Sequence, residues 1–160
     1  MKTILFSRHA KSDWNQPGYS DFDRPLNPKG ETVAPLMALK IQRKYSVDQI
    51  ISSDAARALA TAMHYKKSLT PEQSLTQEHL LYNASHLDIA SVVYNISNTC
   101  TSVMLVGHNP GMTEIVNYYA HNSVDDMPTC SVAVVQFAVN EWKEIIQNTG
   151  TLLAFEVPNK

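Results

Sequence analysis

Short apolar runs alternate with stretches of helical period along the chain, and that alternation sets the first expectation. "KTILFS" (2–7) is a continuous apolar run of strand length. "GETVAPLMALKIQRKY" (30–45) has helical period, with Val33, Met37, Ile41 and Lys44 along one side and Pro35 taken as first-turn. "VDQIIS" (47–52) is a second strand. "SDAARALATAMHYKK" (53–67) is an alanine-rich helix with Ser53 placed to cap it. "SLTQ" (74–77) is a weak strand. "HLDIASVVYNIS" (86–97) is a helix with Leu87, Ala90 and Tyr94 at helical spacing. "TSVMLVG" (101–107) is a strong β run, and "PGMTEIVNYYAHN" (110–122) opens a helix on Pro110. "SVAVVQFAV" (131–139) and "GTLLAFEV" (150–157) are two further strands, with Trp142 between them. Strands alternating with helices predict an α/β fold: a three-layer α/β/α sandwich on a mostly parallel sheet. The last two strands are expected as an antiparallel edge. No repeat, low-complexity tract or linker divides residues 1–160, so one domain is expected.

Composition narrows the classes. The 160 residues are 44% hydrophobic and 18% charged, ordinary for a globular protein with its own core. A net charge of -2 gives no global basic field for nucleic acid or an acidic membrane, so any anion site must be local. No apolar run approaches the roughly 20 residues of a membrane span. Charges interrupt "MKTILFSRHA" too early for a signal peptide. Cys100 and Cys130 are expected as free thiols, and a cytoplasmic address follows.

The candidate chemistry sits at strand ends. Arg8 and His9 follow the first strand, Ser53 and Arg57 the second, and His108 the run "SVMLVG". In a doubly wound sheet, ligands bind outside the carboxyl ends of the strands, so these distant segments converge on one edge. Two arginines and two histidines without an obvious carboxylate suit an anion. A phosphoryl group carries about -1.5 to -2 charge, and arginine's planar fork matches its oxygens in pairs. The helix opening near Pro110 adds backbone N–H donors. A histidine beside bound phosphate can act as nucleophile through an unprotonated ring nitrogen. Neighbouring arginine charges are expected to keep it neutral, and a backbone carbonyl to hold its other nitrogen. His9 and His108 alone make too few metal ligands, and the arginines repel a cation.

The residues at these positions also form recognisable motifs. "RHAKSDWN" resembles the R-H-G motif of the histidine phosphatase superfamily, which includes the phosphoglycerate mutases. "SSDAARALAT" resembles its S-x-x-x-R-x-x-x-T segment, and "GHNPGM" its second-histidine motif. "SDFDRPLNPKG" is similar to the SixA-type branch, the small phosphohistidine phosphatases. The resemblance implies a phosphoglycerate mutase-like sandwich. It implies His9 as phosphoryl acceptor, Arg8 and Arg57 as phosphate clamp, and His108 as a donor to the phosphate. It further implies Asn15 as a phosphate contact and Glu78, after the third strand, as proton donor. Asn109, beside His108, is a further candidate substrate contact. Asp13 lies near but matches no motif, and SixA-type members can act without an acid. Ala10 stands where the motif has glycine, which is tolerable if φ is negative there. No cofactor is implied.

Blander roles compete at several positions. Arg57 could pair with Asp54 on its own helix, and Arg24 with Asp21 or Asp23. Ser12 and Lys11 read as solvated loop residues. His64, His79, His86 and His121 read as surface or packing residues, and Tyr118 and Tyr119 as packing. The expected activity is a metal-independent phosphatase acting through a phosphohistidine intermediate. Its expected partner is a phosphorylated protein, such as a histidine phosphorelay domain, on a monomer or weak dimer. The alternatives are a small-molecule phosphomonoesterase, a mutase-like phosphotransferase, or a phosphoprotein-binding module without turnover.

Overall fold

The computed structural model describes residues 1–14 and 17–159. Six strands form one sheet: β1 (Lys2–Arg8), β2 (Gln49–Ser52), β3 (Thr76–Gln77), β4 (Ser102–Gly107), β5 (Val132–Phe137) and β6 (Gly150–Glu156). Their order is β3-β2-β4-β1-β5-β6. The first four strands run parallel, while β5 is antiparallel to both β1 and β6. The antiparallel portion therefore begins one strand further in than a terminal hairpin alone requires.

Both faces of the sheet are covered, as the continuous apolar runs demand. Along β1 the side chains alternate. Ile4 and Phe6 enter a core with Ile89, Val93, Ile115 and Tyr119. Leu5 enters the opposite core with Met37, Ile41, Ala58 and Tyr65. Helices α1 (Pro28–Gln42) and α2 (Ala56–Leu69) cover this second face, and α3 (His86–Tyr94) and α4 (Gly111–Tyr119) the first.

Several boundaries differ from the sequence expectation, each for a local reason. Helix α1 starts at Pro28, because Asn27 accepts a hydrogen bond from the Gly30 amide and Pro28 suits a first-turn position. Pro35 thus lies in the helix interior, where its ring removes the bond that Glu31's carbonyl would accept. Helix α2 starts at Ala56, and its cap Ala55 makes no side-chain bond. Ser53 instead sits in the preceding turn, accepting from the Ala55 amide at 3.2 Å. On α3 the buried stripe is Ile89, Val92 and Val93, while Leu87 and Tyr94 are exposed. Ser85 and Asp88 close a reciprocal cap at its start, and this fixes which face turns inward. Cys100 and Cys130 are free thiols. No helix among the described residues is long and apolar enough to cross a membrane.

Candidate active site

The carboxyl ends of β1, β2 and β4 meet at one edge of the sheet, and their side chains converge there. The His9 amide donates to the Gly107 carbonyl and the Ser53 amide to Val106. The three strand exits are therefore tied together by backbone before any side chain acts. Ala10 is fully buried, and its amide donates to Thr61 Oγ1 at 2.9 Å, while Thr61 donates to the Arg57 carbonyl at 2.8 Å. One hydroxyl thus couples the turn after β1 to the arginine on α2. Ala10 is not among the residues of positive φ, so the extra methyl relative to glycine fits without strain.

His9 is 7% exposed. Its Nδ1 lies 2.6 Å from the Ala10 carbonyl, which can only accept, so Nδ1 carries the proton. The Nε2 lone pair then faces Arg57, whose Nε donates to it at 3.4 Å. The His108 ring lies 5.1 Å away, centroid to centroid. Both histidines have pKa values lowered to about 3. Burial is the largest cause for each, with the arginines adding to it. The arginine charge invoked from sequence is therefore a secondary reason for the neutral imidazole.

His108 Nε2 lies 2.8 Å from Ser53 Oγ. We assign the Ser53 proton to His108, since that oxygen accepts from Ala55 and no other acceptor among the described residues meets its hydroxyl. His108 Nδ1 is then a donor, and among the described residues it is buried without a partner, as are Nε of Arg8 and Nε of Arg24. Such atoms are costly unless something accepts from them. Three unpartnered nitrogen donors around one histidine pair suit an anion. Arg8 is held by a bond from Nη1 to the Met127 carbonyl at 2.9 Å. A cleft of about 190 Å³ is lined by Arg8, His9, Lys11, Ser12, Asp13, Trp14, Arg24 and Thr129. A groove of about 280 Å³ between Leu87, Tyr94, Tyr118 and Ile146 is larger but distant from this cluster, so size alone does not locate the chemistry.

The sequence-derived set divides. His9, Arg57 and His108 come together, with Arg8 on the cleft. Asn15 lies outside the described residues. Glu78 is turned away: its carboxylate accepts from the Leu80 amide, and it borders a groove with Gln49, Ile51 and Thr76. Asn109 is fully engaged, with its amide donating to Asp126 and Met127 and its oxygen accepting from Thr113. It anchors the start of α4, and no amide hydrogen remains for a substrate. Asp54 pairs with His79, at 2.9 Å from both oxygens, and not with Arg57. Ser12 is buried, donating to the Pro25 carbonyl and accepting from Arg24.

The main omission is a carboxylate at the site. Asp21 accepts from Arg24, Arg57 and the Tyr82 hydroxyl, and its pKa is lowered to about 2, with the Tyr82 bond the largest cause. Tyr82 in turn packs edge-on against His108. Spacing in "SDFDR" allowed Arg24 to pair with Asp21 or Asp23, but gave no sign that Arg57 shares the same carboxylate. Among the described residues, no group of three or more His, Cys, Asp or Glu side chains is set to hold a metal ion.

A family model described as the histidine phosphatase superfamily (branch 1) matches residues 4–83. The chain belongs to the histidine phosphatase superfamily. A SixA protein of Agrobacterium tumefaciens is 29% identical, with a TM-score of 0.83 over 98% of both chains. The protein histidine phosphatase SixA complexed with tungstate has the same fold, with a TM-score of 0.80 over 96% of this chain and 95% of that one at 20% identity. A Mycobacterium tuberculosis protein is 27% identical over 94% of this chain and 99% of its own length. The superfamily match ends at residue 83, so it covers Arg8, His9 and Arg57, while His108 joins them through the sheet.

Proposed function

We propose that the protein is a cytoplasmic phosphatase in which His9 accepts the phosphoryl group. The observation that carries this reading is the uncharged, oriented imidazole: Nδ1–H on the Ala10 carbonyl, and the Nε2 lone pair beside the Arg57 fork. Nε2 attacks phosphorus, the P–N bond forms, and the bond to the leaving group breaks. The resulting imidazolium is stabilised where its Nδ1–H already meets a carbonyl. Water then attacks phosphorus, the P–N bond breaks, and orthophosphate leaves with His9 neutral again. Arg57, Arg8 and His108 hold the flat transition state's oxygens, since phosphoryl transfer needs chiefly positioning and charge stabilisation.

The leaving group argues for phosphohistidine on a partner protein. Expelling an alkoxide calls for a general acid. Glu78 is turned onto a backbone amide, Asp13 lines the cleft but accepts from the Asn27 side chain, and Asp21 stays ionised at neutral pH. A phosphohistidine protonated on its other ring nitrogen leaves as neutral imidazole when the P–N bond breaks, so no enzyme acid is required. The cleft is small and near the surface, which suits a phosphorylated side chain reaching in. The SixA of the same fold is complexed with tungstate, an oxyanion, in keeping with this reading.

The test compares wild type and His9→Ala in EDTA, on a chromogenic phosphate ester, a phosphohistidine peptide and a sugar phosphate. Wild type should retain its activity in EDTA, and His9→Ala should lose more than about 10³-fold in kcat. The phosphohistidine peptide should exceed the sugar phosphate in kcat/KM. Loss of activity in EDTA, or an active His9→Ala, refutes the mechanism; a faster sugar phosphate refutes the substrate.

A further inference from the structure

Asp21 lies in the irregular segment before α1, within "SDFDRPLNPKG" but with no role implied by that resemblance, and both Arg24 and Arg57 meet on it. Arg57 Nη1 donates to its backbone carbonyl at 2.6 Å and Nη2 to Oδ2 at 3.2 Å. Arg24 Nη2 donates to Oδ1 at 3.1 Å. The Tyr82 hydroxyl donates to Oδ2 at 2.5 Å. We propose that Asp21 is a positioning residue: by gripping the two terminal nitrogens of Arg57, it turns the guanidinium's Nε edge toward His9 and the phosphoryl oxygens. This rests on reading His9 as the phosphoryl acceptor.

A guanidinium presents two different edges, and only one can face His9. With both terminal nitrogens on Asp21, the edge that remains is Nε together with the second hydrogen of Nη2, and Nε is the atom 3.4 Å from the His9 lone pair. An ordinary exposed ion pair would have little consequence. Here the two arginine side chains are each 5% exposed, while the Asp21 side chain is 45% exposed. The anion is at the rim and its cations are inside, so the carboxylate fixes groups that have no alternative solvation. Arg24, the other cation, is braced on Ser12 and stacked on Trp14 at 4.6 Å.

Charge and positioning predict opposite effects on a bound anion. An aspartate beside an anion site repels phosphate in the ground state. An aimed arginine fork stabilises the pentavalent state. The experiment therefore compares Asp21→Asn and Asp21→Glu with wild type, measuring Kd for inorganic phosphate, Kd for orthovanadate, and kcat on the chromogenic ester. The Nε–H resonance of Arg57 is followed by ¹⁵N NMR. Positioning predicts that Asp21→Asn leaves phosphate binding equal or tighter, while vanadate affinity and kcat fall on the order of 10²-fold. It predicts that the Arg57 Nε–H signal shifts or broadens. Asp21→Glu, with its charge kept but displaced by one methylene, should also lose vanadate affinity and kcat. In an Arg57→Lys background, Asp21→Asn should add no further loss.

The proposal fails if Asp21→Asn weakens phosphate and vanadate equally, or if Asp21→Glu behaves as wild type. It also fails if vanadate affinity stays within about twofold. Should Asp21→Asn not fold, Asp21→Glu alone decides by the same ratio. A wild-type protein that binds vanadate without turning over the ester removes the phosphatase reading, while the vanadate ratios still judge Asp21.

Discussion

Ser53 shows how one hydroxyl can govern a neighbouring ring. Its oxygen accepts from Ala55, and with its own proton assigned to His108 Nε2 the His108 proton lies on Nδ1. Ser53→Ala frees the ring to carry its proton on the other nitrogen. The expected result is a loss of about tenfold or more in kcat/KM, in line with a misoriented donor. The stability change should stay near 1 kcal/mol, and steady-state kinetics beside urea melts check both. At this scale the sequence was informative about residue types and their order. Arg8 ends β1, His9 and His108 directly follow β1 and β4, and Arg57 stands in the first turn of α2 just after β2, positions that a parallel sheet brings to one edge. The sequence placed Ser53 at the same edge but read it as a helix cap, and that reading hid its contact with a ring 55 residues away. Asp21 was similarly hidden, because its bond to Arg57 spans 36 residues and depends on how an irregular segment folds back.

Elements are set by caps and by close backbone approaches that apolar periodicity does not encode. The α3 segment contains two apolar stripes, and of the one chosen from spacing Leu87 and Tyr94 are exposed while Ala90 packs at the core's margin. Ile89, Val92 and Val93 are β-branched or compact and fit the sheet, and the Ser85–Asp88 cap fixes the helix rotation. Helix α1 begins where Asn27 caps it, and its first turn presses on the turn after β1. A Cβ added at Gly30 would lie 2.2 Å from the Lys11 carbonyl oxygen. That contact, with the Thr61 bridge from α2, pins the segment carrying His9 from two sides. Thr61→Val keeps the shape but removes both bonds, leaving the buried Ala10 amide without an acceptor. The cost should be about 1–3 kcal/mol in stability, measured by chemical denaturation, together with reduced kcat because the Ala10 carbonyl that holds His9 belongs to the same turn.

For the whole molecule, the strand content and mostly parallel character were legible, but the order β3-β2-β4-β1-β5-β6 was not. Long-range pairing such as β1 with β4 leaves no local mark, since both runs are apolar throughout. The buried histidines make the molecule's stability depend on pH. Their folded pKa values are near 3, against about 6.5 in the unfolded chain. Above pH 6.5 both states hold them neutral, and their contribution is fully present. As pH falls from 6.5 toward 3, only the unfolded chain takes up the protons, and stability is lost. The slope should reach about 1.4 kcal/mol per pH unit for each histidine. Urea midpoints across pH 7 to 4 measure it, and His9→Gln should flatten the dependence.

Cys130 adds one more consequence. It lies 1% exposed behind the site, its amide donating to the carbonyls of Arg8 and His9, and its thiol is pushed up to about 12 by burial. An alkylating reagent at neutral pH meets no thiolate there in the folded protein. Cys100 lies at the opposite end of the sheet, where its carbonyl accepts from Lys2. Modification of Cys100 would leave turnover untouched, whereas the slower modification of Cys130 would time each opening of the backbone that holds the nucleophile.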